Sequence, residues 1–252
     1  MELLAGEPNY EVTVKESNCV FNFDFSKVYW NPRLATEHER LNKMMKKSSV
    51  LFDACAGVGP FAIPCGKICK VMANDLNPES FKWLQENVRQ NKKSTNNIQC
   101  FNKDAREFIR TIVKDALIDL WNDDSENITE AHIVMNLPAL AITFVDVFNG
   151  LFSDRQEFND RVIVLPQAHI YCFSTSKDPS LDVRKECEGY LGYEIDDKHF
   201  SGVNFVRNVS PNKDMFRIDF FVPKYVLFAK SPNSSEKRPL SPSLENHQKH
   251  KR

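Results

Sequence analysis

The sequence predicts an α/β protein built on a doubly wound parallel sheet. Between about residues 49 and 135, short apolar runs alternate with segments of helical period, as in strands connected by helices. A glycine-rich turn follows the first of these strands, and an acidic residue, Asp75, ends the second. An open sheet of this kind binds ligands beyond the carboxyl ends of its strands, where both features fall.

The glycine turn has the sequence DACAGVGPF at 53–61 and follows the apolar run at 49–52. Glycines let the backbone approach a ligand closely, and the free N–H groups of the following helix point at its polar end. Asp75 lies eighteen positions after Gly57, where a carboxylate can accept hydrogen bonds from ribose hydroxyls. The alternative is that residues 75–78 form only a turn. The corner therefore predicts an adenosine-containing cofactor.

Two details decide between a dinucleotide and S-adenosyl-L-methionine. The letters GVGPFA at 57–62 formally fit the dinucleotide pattern, which alone is weak. Asp53, however, would repel a pyrophosphate and suits a methionine moiety. Asn136 and Pro138 follow an apolar run in a turn that can present an amide and carbonyls to a planar base, although a plain turn is the alternative. We therefore favour S-adenosyl-L-methionine.

Composition limits the possible classes of function. The chain has 252 residues, 42% of them hydrophobic, and a formal net charge of −1, so any surface for nucleic acid must be local. Seven scattered cysteines form no zinc pattern, and we expect reduced core thiols and no metal. No apolar run reaches the roughly 18 residues that span a membrane, and no signal pattern begins the chain. We expect neither membrane insertion nor secretion.

The chain divides into three predicted parts. Residues 1–30 alternate apolar and polar side chains, which predicts two strands joined at Ser17 and Asn18, the remnant of a β-rich N-terminal subdomain. Their hydrophobic faces are expected to need a partner sheet. Residues 31–230 are expected to form the main domain, and 231–252 a disordered basic tail.

Further elements follow from local signals. Thr36 and Glu39 match a capping box, which predicts a helix beginning near Glu37. Later elements are predicted as helices at 79–90, 105–120 and 179–191 and as strands at 98–101, 133–135, 161–166, 169–173 and 216–222.

Five segments together resemble the eukaryotic branch of the tRNA (guanine(37)-N1)-methyltransferase family. They are FDFSKVYWNPRLATEH at 23–38, the corner at 53–61, NDLNP at 74–78, NLPALA at 136–141 and VRNVSPNK at 206–213. Members of that family are class I, Rossmann-like methyltransferases. They transfer a methyl group from S-adenosylmethionine to N1 of the guanosine that follows the anticodon. The resemblance implies this fold, this activity and a tRNA with guanosine at position 37 as partner.

The resemblance also assigns roles to individual residues. It makes Glu37 the general base and places Asn136 at the guanine. It implies a cofactor pocket lined by His38, Gly57, Gly59, Asp75, Leu76, Asp104, Ala105 and Asn136. The chemistry fits, because guanine N1 is a poor nucleophile until a carboxylate takes its proton. Without the resemblance, Glu37 is a first-turn carboxylate favourable to the helix dipole and His38 an exposed helix residue.

The resemblance also gives expectations about contacts to the tRNA and about parts of the family that this sequence lacks. Candidate phosphate contacts are Arg33, Arg207 and Lys213. The family carries an N-terminal domain that grips the tRNA elbow and an arginine that contacts guanine O6, and both would precede residue 1. We therefore expect an N-terminally truncated chain that binds cofactor yet methylates poorly. We expect a monomer, located in the cytoplasm, nucleus or mitochondrial matrix.

Three other functions stay open on the sequence. One is an aminocarboxypropyl transferase of the wybutosine pathway, which uses the same cofactor. Another is a catalytically impaired remnant that binds tRNA or cofactor. A nicotinamide oxidoreductase is the third, although no acid for hydride transfer occupies a recognisable position.

Overall fold

A computed structural model describes residues 6–91, 97–122, 127–160 and 164–230. The predicted tail at 231–252 lies outside the described residues, as does the start of the strand predicted at 161–166. The strands are β1 Glu11–Glu16, β2 Cys19–Asp24, β3 Ser49–Asp53, β4 Lys70–Asn74, β5 Ile98–Phe101, β6 Glu130–Met135, β7 Pro166–Ser174, β8 Phe200–Ser210 and β9 Lys213–Phe221. The helices are α1 Ala35–Met44, α2 Ala62–Cys65, α3 Pro78–Gln90, α4 Ala105–Phe108, α5 Lys114–Asn122, α6 Pro179–Leu191 and α7 Lys224–Leu227.

A mixed sheet dominates the fold. Across the described residues it has seven strands in the order β5-β4-β3-β6-β7-β9-β8. Strands β3 to β7 run parallel, while β9 runs antiparallel to both β7 and β8. Every residue of β3 is buried, as expected for a central strand covered on both faces. The predicted doubly wound α/β class is confirmed, and the chain order reverses beside β3, which places a ligand crevice at its carboxyl end.

The two sheet faces carry separate hydrophobic clusters. Phe52 of β3 and Ile133 of β6 belong to one cluster with α4, α5 and α6. Leu51 and Val134, the neighbouring residues on the same strands, belong to the other, with Leu41 of α1. Alternate side chains of one strand therefore hold helices on opposite sides of the sheet. Within the described part of the chain, no helix has the length and apolar character needed to cross a bilayer.

The structure differs from the local predictions at three places. Helix α1 begins at Ala35 without a side-chain cap, so the predicted capping box of Thr36 and Glu39 does not form. Asn31 instead caps a preceding 3₁₀ turn by accepting from the Arg33 N–H at 3.1 Å. The apolar stretch predicted as two strands contributes the single strand β7 among the described residues. Strand β8 was not predicted, because it is a half-exposed edge strand with three register shifts and no clean alternation.

The N-terminal hairpin packs on helices rather than on the predicted partner sheet. Ser17 and Asn18 join β1 to β2 with positive φ angles, as the predicted turn requires. Phe21 and Phe23 are fully buried in a cluster that includes Ile63 of α2. The hairpin is thereby fixed against the side of the glycine turn.

Asn87 of α3 and Asn91, which directly follows that helix, complete the hydrogen bonding of β2. The Asn22 N–H donates to Asn87 Oδ1 at 2.8 Å, and Asn87 Nδ2 donates to the carbonyls of Asn22 and Val58, each at 3.1 Å. One turn further on, Asn91 makes the same pair of bonds to the backbone of Val20. The amides thus stand in for a neighbouring strand and join the hairpin, α3 and the glycine turn.

Replacing Asn87 with Ala is expected to lower the free energy of unfolding by about 2–4 kcal/mol, because three backbone groups lose their partner. Urea unfolding measures the change. Gln90→Ala is the matched control, since Gln90 bonds the exposed side chain of Asn22 from the same helix. The control should stay within about 0.5 kcal/mol of the parent. Equal effects of the two substitutions would contradict this account.

Candidate active site

A cavity of about 770 Å³ opens at the carboxyl ends of β3, β4, β5 and β6. Its volume lies in the range of sites that bind small molecules and cofactors. The predicted site residues that line it are His38, Gly57, Asp75, Leu76, Asp104, Ala105 and Asn136. Gly59 and Glu37 do not line it. The sequence therefore predicted most of one pocket, from residues spread over about a hundred positions.

The glycine turn is shaped by two different requirements. Gly57 has φ +57 and its Cβ position is open, so it offers the ligand bare backbone. Gly59 has φ +100, and a Cβ there would lie 2.7 Å from Ile63 Cδ1 and 2.9 Å from Leu84 Cδ1. Gly59 thus allows α2 and α3 to pack closely behind the turn. The helix that follows the turn, α2, has only four residues.

Asp75 connects the turn to the next helix. Its Oδ2 accepts from the Gly57 N–H at 2.7 Å, and its Oδ1 accepts from the Asn77 N–H at 2.9 Å. Burial raises the pKa of Asp75, and these two bonds oppose the shift. Each oxygen keeps a second lone pair, so the carboxylate can accept two ribose hydroxyls without losing either bond.

Asp104 and Ala105 form the start of α4. Asp104 caps the helix with Oδ1, which accepts from the N–H groups of Arg106 at 2.9 Å and Glu107 at 3.4 Å. This arrangement leaves Oδ2 available to a donor in the cavity. Ala105 is buried and lines the same wall. The pair can meet an amino group and a ring nitrogen of a planar base.

Asn136 carries an unsatisfied acceptor. Among the described residues its buried Oδ1 has no hydrogen-bond partner, and Asn136 lines the cavity immediately after β6. A buried acceptor without a partner costs about 1–3 kcal/mol. Nearby Leu76 and Leu137 are large apolar side chains with 65% and 41% of their surface exposed. A ligand with an N–H donor and a flat apolar face would bond to Asn136 and cover the side chains of Leu76 and Leu137.

His38 is held from outside the pocket. Its Nδ1 lies 2.6 Å from Glu16 Oε1, at the end of β1. Its ring meets the edge of Phe61 with 4.7 Å between centroids. The side chain is 3% exposed, so the alternative of an exposed helix residue is wrong. The hairpin thus fixes a residue of the cavity wall.

Glu37 lies one layer beneath the cavity. Its carboxylate accepts from the hydroxyl of Tyr171 at 2.6 Å, from Arg40 at 2.8 and 2.9 Å, and from Arg217. Burial alone would raise its pKa, but hydrogen bonds from Arg40 and Tyr171 and the charge of Arg217 lower the pKa overall. Glu37 is therefore ionised at neutral pH.

Several cavity residues were not predicted as cofactor or catalytic residues. Tyr29, which is 72% exposed, and Trp30 border one side. Phe173 of β7 and Met215 of β9 border the other, with Arg207 of the unpredicted β8. No motif marks Phe173 or Met215. They reach the site only because β9 pairs with β7 and brings these two residues together as cross-strand partners.

Comparison with known proteins agrees with this geometry. A family model described as the TRM5/TYW2 methyltransferase domain matches residues 12–158, which is more than half of the chain. The chain belongs to the TRM5/TYW2 methyltransferase family. A tRNA (guanine(37)-N(1))-methyltransferase from Drosophila melanogaster is 48% identical over 222 residues, covering 87% of this chain and 48% of that protein. The chain thus spans about half the length of such curated relatives.

Solved structures of TRM5/TYW2 proteins share the fold. Trm5b from Pyrococcus abyssi superimposes with a TM-score of 0.62 and 30% identity, over 86% of this chain and 57% of that one. TYW2 from M. jannaschii, solved in complex with AdoMet, gives a TM-score of 0.60 at 20% identity, over 87% of this chain and 88% of that one. At that identity the second match supports the Rossmann-like fold alone.

Asp53 is an acid buried beneath the glycine turn. It is fully buried at the end of β3, and within the described chain neither carboxylate oxygen has a hydrogen-bond partner. Burial and the charge of Asp75 raise the pKa of Asp53 to about 8, and the nearby Cys55 N–H opposes the shift without reaching hydrogen-bond geometry. Burial therefore favours the uncharged acid, and Asp53 does not line the cavity, so the repulsion of a pyrophosphate that we expected from the sequence does not apply.

A raised folded-state pKa makes stability fall as pH rises, because the unfolded chain ionises Asp53 near pH 4 and the folded chain near pH 8. We expect Asp53→Asn to remove this dependence. Between pH 5 and 8, the free energy of unfolding of the parent should fall relative to that of Asp53→Asn by about 1.4 kcal/mol per pH unit. Urea unfolding at four pH values tests this expectation. A difference that does not vary with pH would refute it.

Proposed function

We propose that this chain transfers a methyl group from S-adenosyl-L-methionine to N1 of guanosine 37 of tRNA. The observation that carries the proposal is the unsatisfied Oδ1 of Asn136, in the same cavity as Gly57, Asp75 and Asp104. That cavity offers acceptors to a ribose and to two planar bases. The Drosophila melanogaster relative, which carries this activity in its name, supports the assignment.

The residues present fit S-adenosyl-L-methionine. All four residues line the cavity: Asp75 would accept from the ribose hydroxyls, Asp104 and Ala105 would meet the adenine edge, and Leu76 would cover its face. When bound, the cofactor supplies an electrophilic methyl group on a positively charged sulfur. Because the carboxyl group of Asp53 is uncharged, it does not place a second negative charge next to Asp75.

Glu37 is proposed as the general base. It would accept the proton from guanine N1 as that nitrogen bonds to the methyl carbon, and its ionised state suits this role. In the ligand-free structure its carboxylate lies below the layer formed by Phe173 and Met215. The role therefore requires either that guanine N1 reach this layer or that the carboxylate turn upward.

Asn136 is proposed to hold the guanine edge. Its Oδ1 can accept from a guanine N–H, and its amide N–H groups can donate to O6, where negative charge develops. Basic side chains near the mouth fit contacts to phosphates. Arg33 is exposed on the turn before α1, Arg207 lines the cavity, and Lys213 lies over the ring of Phe173 at 4.3 Å.

Two alternatives differ in the product. An aminocarboxypropyl transferase would add a larger group to the tRNA. The 48% identical relative named as a methyltransferase favours methyl transfer. An impaired remnant would bind cofactor and release no product. The mass of the tRNA product separates all three readings.

Single-turnover transfer of labelled methyl to a tRNA transcript is expected to require guanosine at position 37 and to vanish with adenosine there. Glu37→Gln should lower the rate by about 10²-fold or more, since general bases contribute that much. Glu39→Gln is the matched control, because Glu39 is exposed two positions along α1 and pairs with Lys43. Transfer to the adenosine transcript, or equal rates for both variants, would contradict the proposal.

Asn136→Ala should separate function from stability. We expect the transfer rate to fall by about 10²-fold, the size seen when one donor to a developing negative charge is lost. The thermal stability of the ligand-free protein should stay the same or increase, because the substitution removes a buried acceptor that has no partner. Transfer and melting measured on the same preparation test both expectations. A large loss of stability would show a structural role instead.

A further inference from the structure

Two buried side chains from neighbouring strands meet at one oxygen of Glu37. Tyr171 of β7 and Arg217 of β9 are direct cross-strand partners, and both donate to Glu37 Oε1. The Tyr171 hydroxyl lies 2.6 Å from that oxygen. Tyr171 is fully buried and Arg217 is 3% exposed. From the helix side, Arg40 donates to both oxygens of the carboxylate. Donors thus fix Glu37 from two opposite directions.

Arg217 is itself held in place from behind. Asp219 accepts from its guanidinium in a two-point contact, with Nε to Oδ1 at 2.7 Å and Nη2 to Oδ2 at 2.8 Å. Asp219 is in turn bonded to His169 Nδ1 at 2.7 Å and to Asn204 Nδ2 at 2.9 Å. A bidentate pair fixes the plane of the guanidinium as well as its position. The chain of contacts therefore sets the direction from which Arg217 meets Glu37.

We propose that Tyr171 and Arg217 are positioning residues, which orient the carboxylate of Glu37 and keep it deprotonated to receive the proton of guanine N1. This inference rests on the proposed function, in which Glu37 is the base. The Tyr171 hydroxyl is the sharper indication. A phenylalanine would fill the same apolar surroundings, beside Phe61 with 5.9 Å between ring centroids, and would lack only the bond to Glu37.

The position of the pair on the strands explains why it can act on the cavity. Phe173 and Met215 line the cavity and are also cross-strand partners. Tyr171 and Arg217 lie two residues away on the same strands, on the same face and one layer deeper. Glu37 is therefore held directly under the wall that a guanine would contact. No sequence motif contains either residue.

Ionisation of Glu37 depends on the groups that face it from three elements. These are Arg40 from α1, Tyr171 from β7 and Arg217 from β9. Burial would raise the pKa of Glu37, and the hydrogen bonds from Arg40 and Tyr171 and the charge of Arg217 reverse that shift. Removing the Tyr171 hydroxyl should therefore move the pKa of Glu37 upward while leaving both arginines in place.

A double-mutant cycle on the full chain tests the proposal. Single-turnover transfer to the guanosine 37 transcript is measured for the parent, Tyr171→Phe, Glu37→Gln and the double variant. We expect Tyr171→Phe to be about tenfold slower, with the half-saturating tRNA concentration unchanged. In the Glu37→Gln background, the same substitution should change the rate by less than about twofold, because its effect passes through Glu37. The same fold-loss in both backgrounds would overturn the proposal.

Tyr225→Phe is the matched control. It also removes a tyrosine hydroxyl, which donates to the Glu194 carbonyl at 2.8 Å and accepts from the Asp196 N–H at 3.4 Å, in a different part of the chain. Its transfer rate should equal that of the parent. If Tyr171→Phe is no slower than Tyr225→Phe, the positioning role is wrong. Arg217→Met is a poorer test, because it leaves Asp219 buried without its cation and endangers folding.

A measurement that needs no turnover separates this inference from the proposed function. The pKa of Glu37 is followed by carbon-13 NMR of its carboxyl group in the parent and in the two tyrosine variants. It should rise in Tyr171→Phe and stay unchanged in Tyr225→Phe, and an unchanged value in both would overturn the inference. If the parent shows no transfer that depends on guanosine 37, the proposed function fails, and this titration alone decides the positioning role.

Discussion

The burial of Arg217 links three distant parts of the chain. A guanidinium that is 3% exposed needs paired negative charge, because an isolated buried cation is far more costly than a paired one. Glu37 and Asp219 supply that charge from α1 and from β9 itself. Strand β7 contributes Tyr171 and His169 to the same network. The pairing of this cation therefore joins the hydrophobic contacts of Leu41 in fixing α1 over the sheet, and with it His38 in the cavity wall.

The region at the carboxyl ends of β3 and β6 differs from the surroundings of Arg217 in its hydrogen bonding. Around Arg217 every charge is paired, whereas Asp53 and Asn136 hold buried oxygens that lack partners among the described residues. Such groups reduce the stability of the protein unless another group completes their bonding. Asp53 ends β3 and Asn136 follows β6, and these strands are adjacent and parallel. Of the two, Asn136 lines the cavity, so a ligand can complete its bonding at the edge that the strand order marks.

Sequence could predict what is encoded locally. Alternating strands and helices, the glycine turn, Asp75 and Asn136 follow from short-range patterns, and the resemblance added Glu37, His38 and Asp104. Tyr171 and Arg217 could not be found in this way, because only the antiparallel pairing of β9 with β7 brings them together. A weak signal was present. In β9, Arg217 and Asp219 alternate with Phe216 and Ile218, which puts two charges on one face of an otherwise apolar strand. The capping box failed because Asn31 and Pro32 begin a 3₁₀ turn just upstream.

The depth of Glu37 places a requirement on the substrate. Its carboxylate lies beneath the layer of Phe173 and Met215, while the mouth of the cavity is bordered by the exposed ring of Tyr29. A base that remains stacked in a nucleic acid helix presents N1 to its pairing partner and cannot enter such a pocket, so enzymes that modify buried atoms extrude the nucleotide. A guanosine in a loop loses less stacking when it turns out. On the proposed function, a proton acceptor set this deep favours unpaired nucleotides without reading their sequence, and the proposed edge contacts of Asn136 distinguish guanine from other bases.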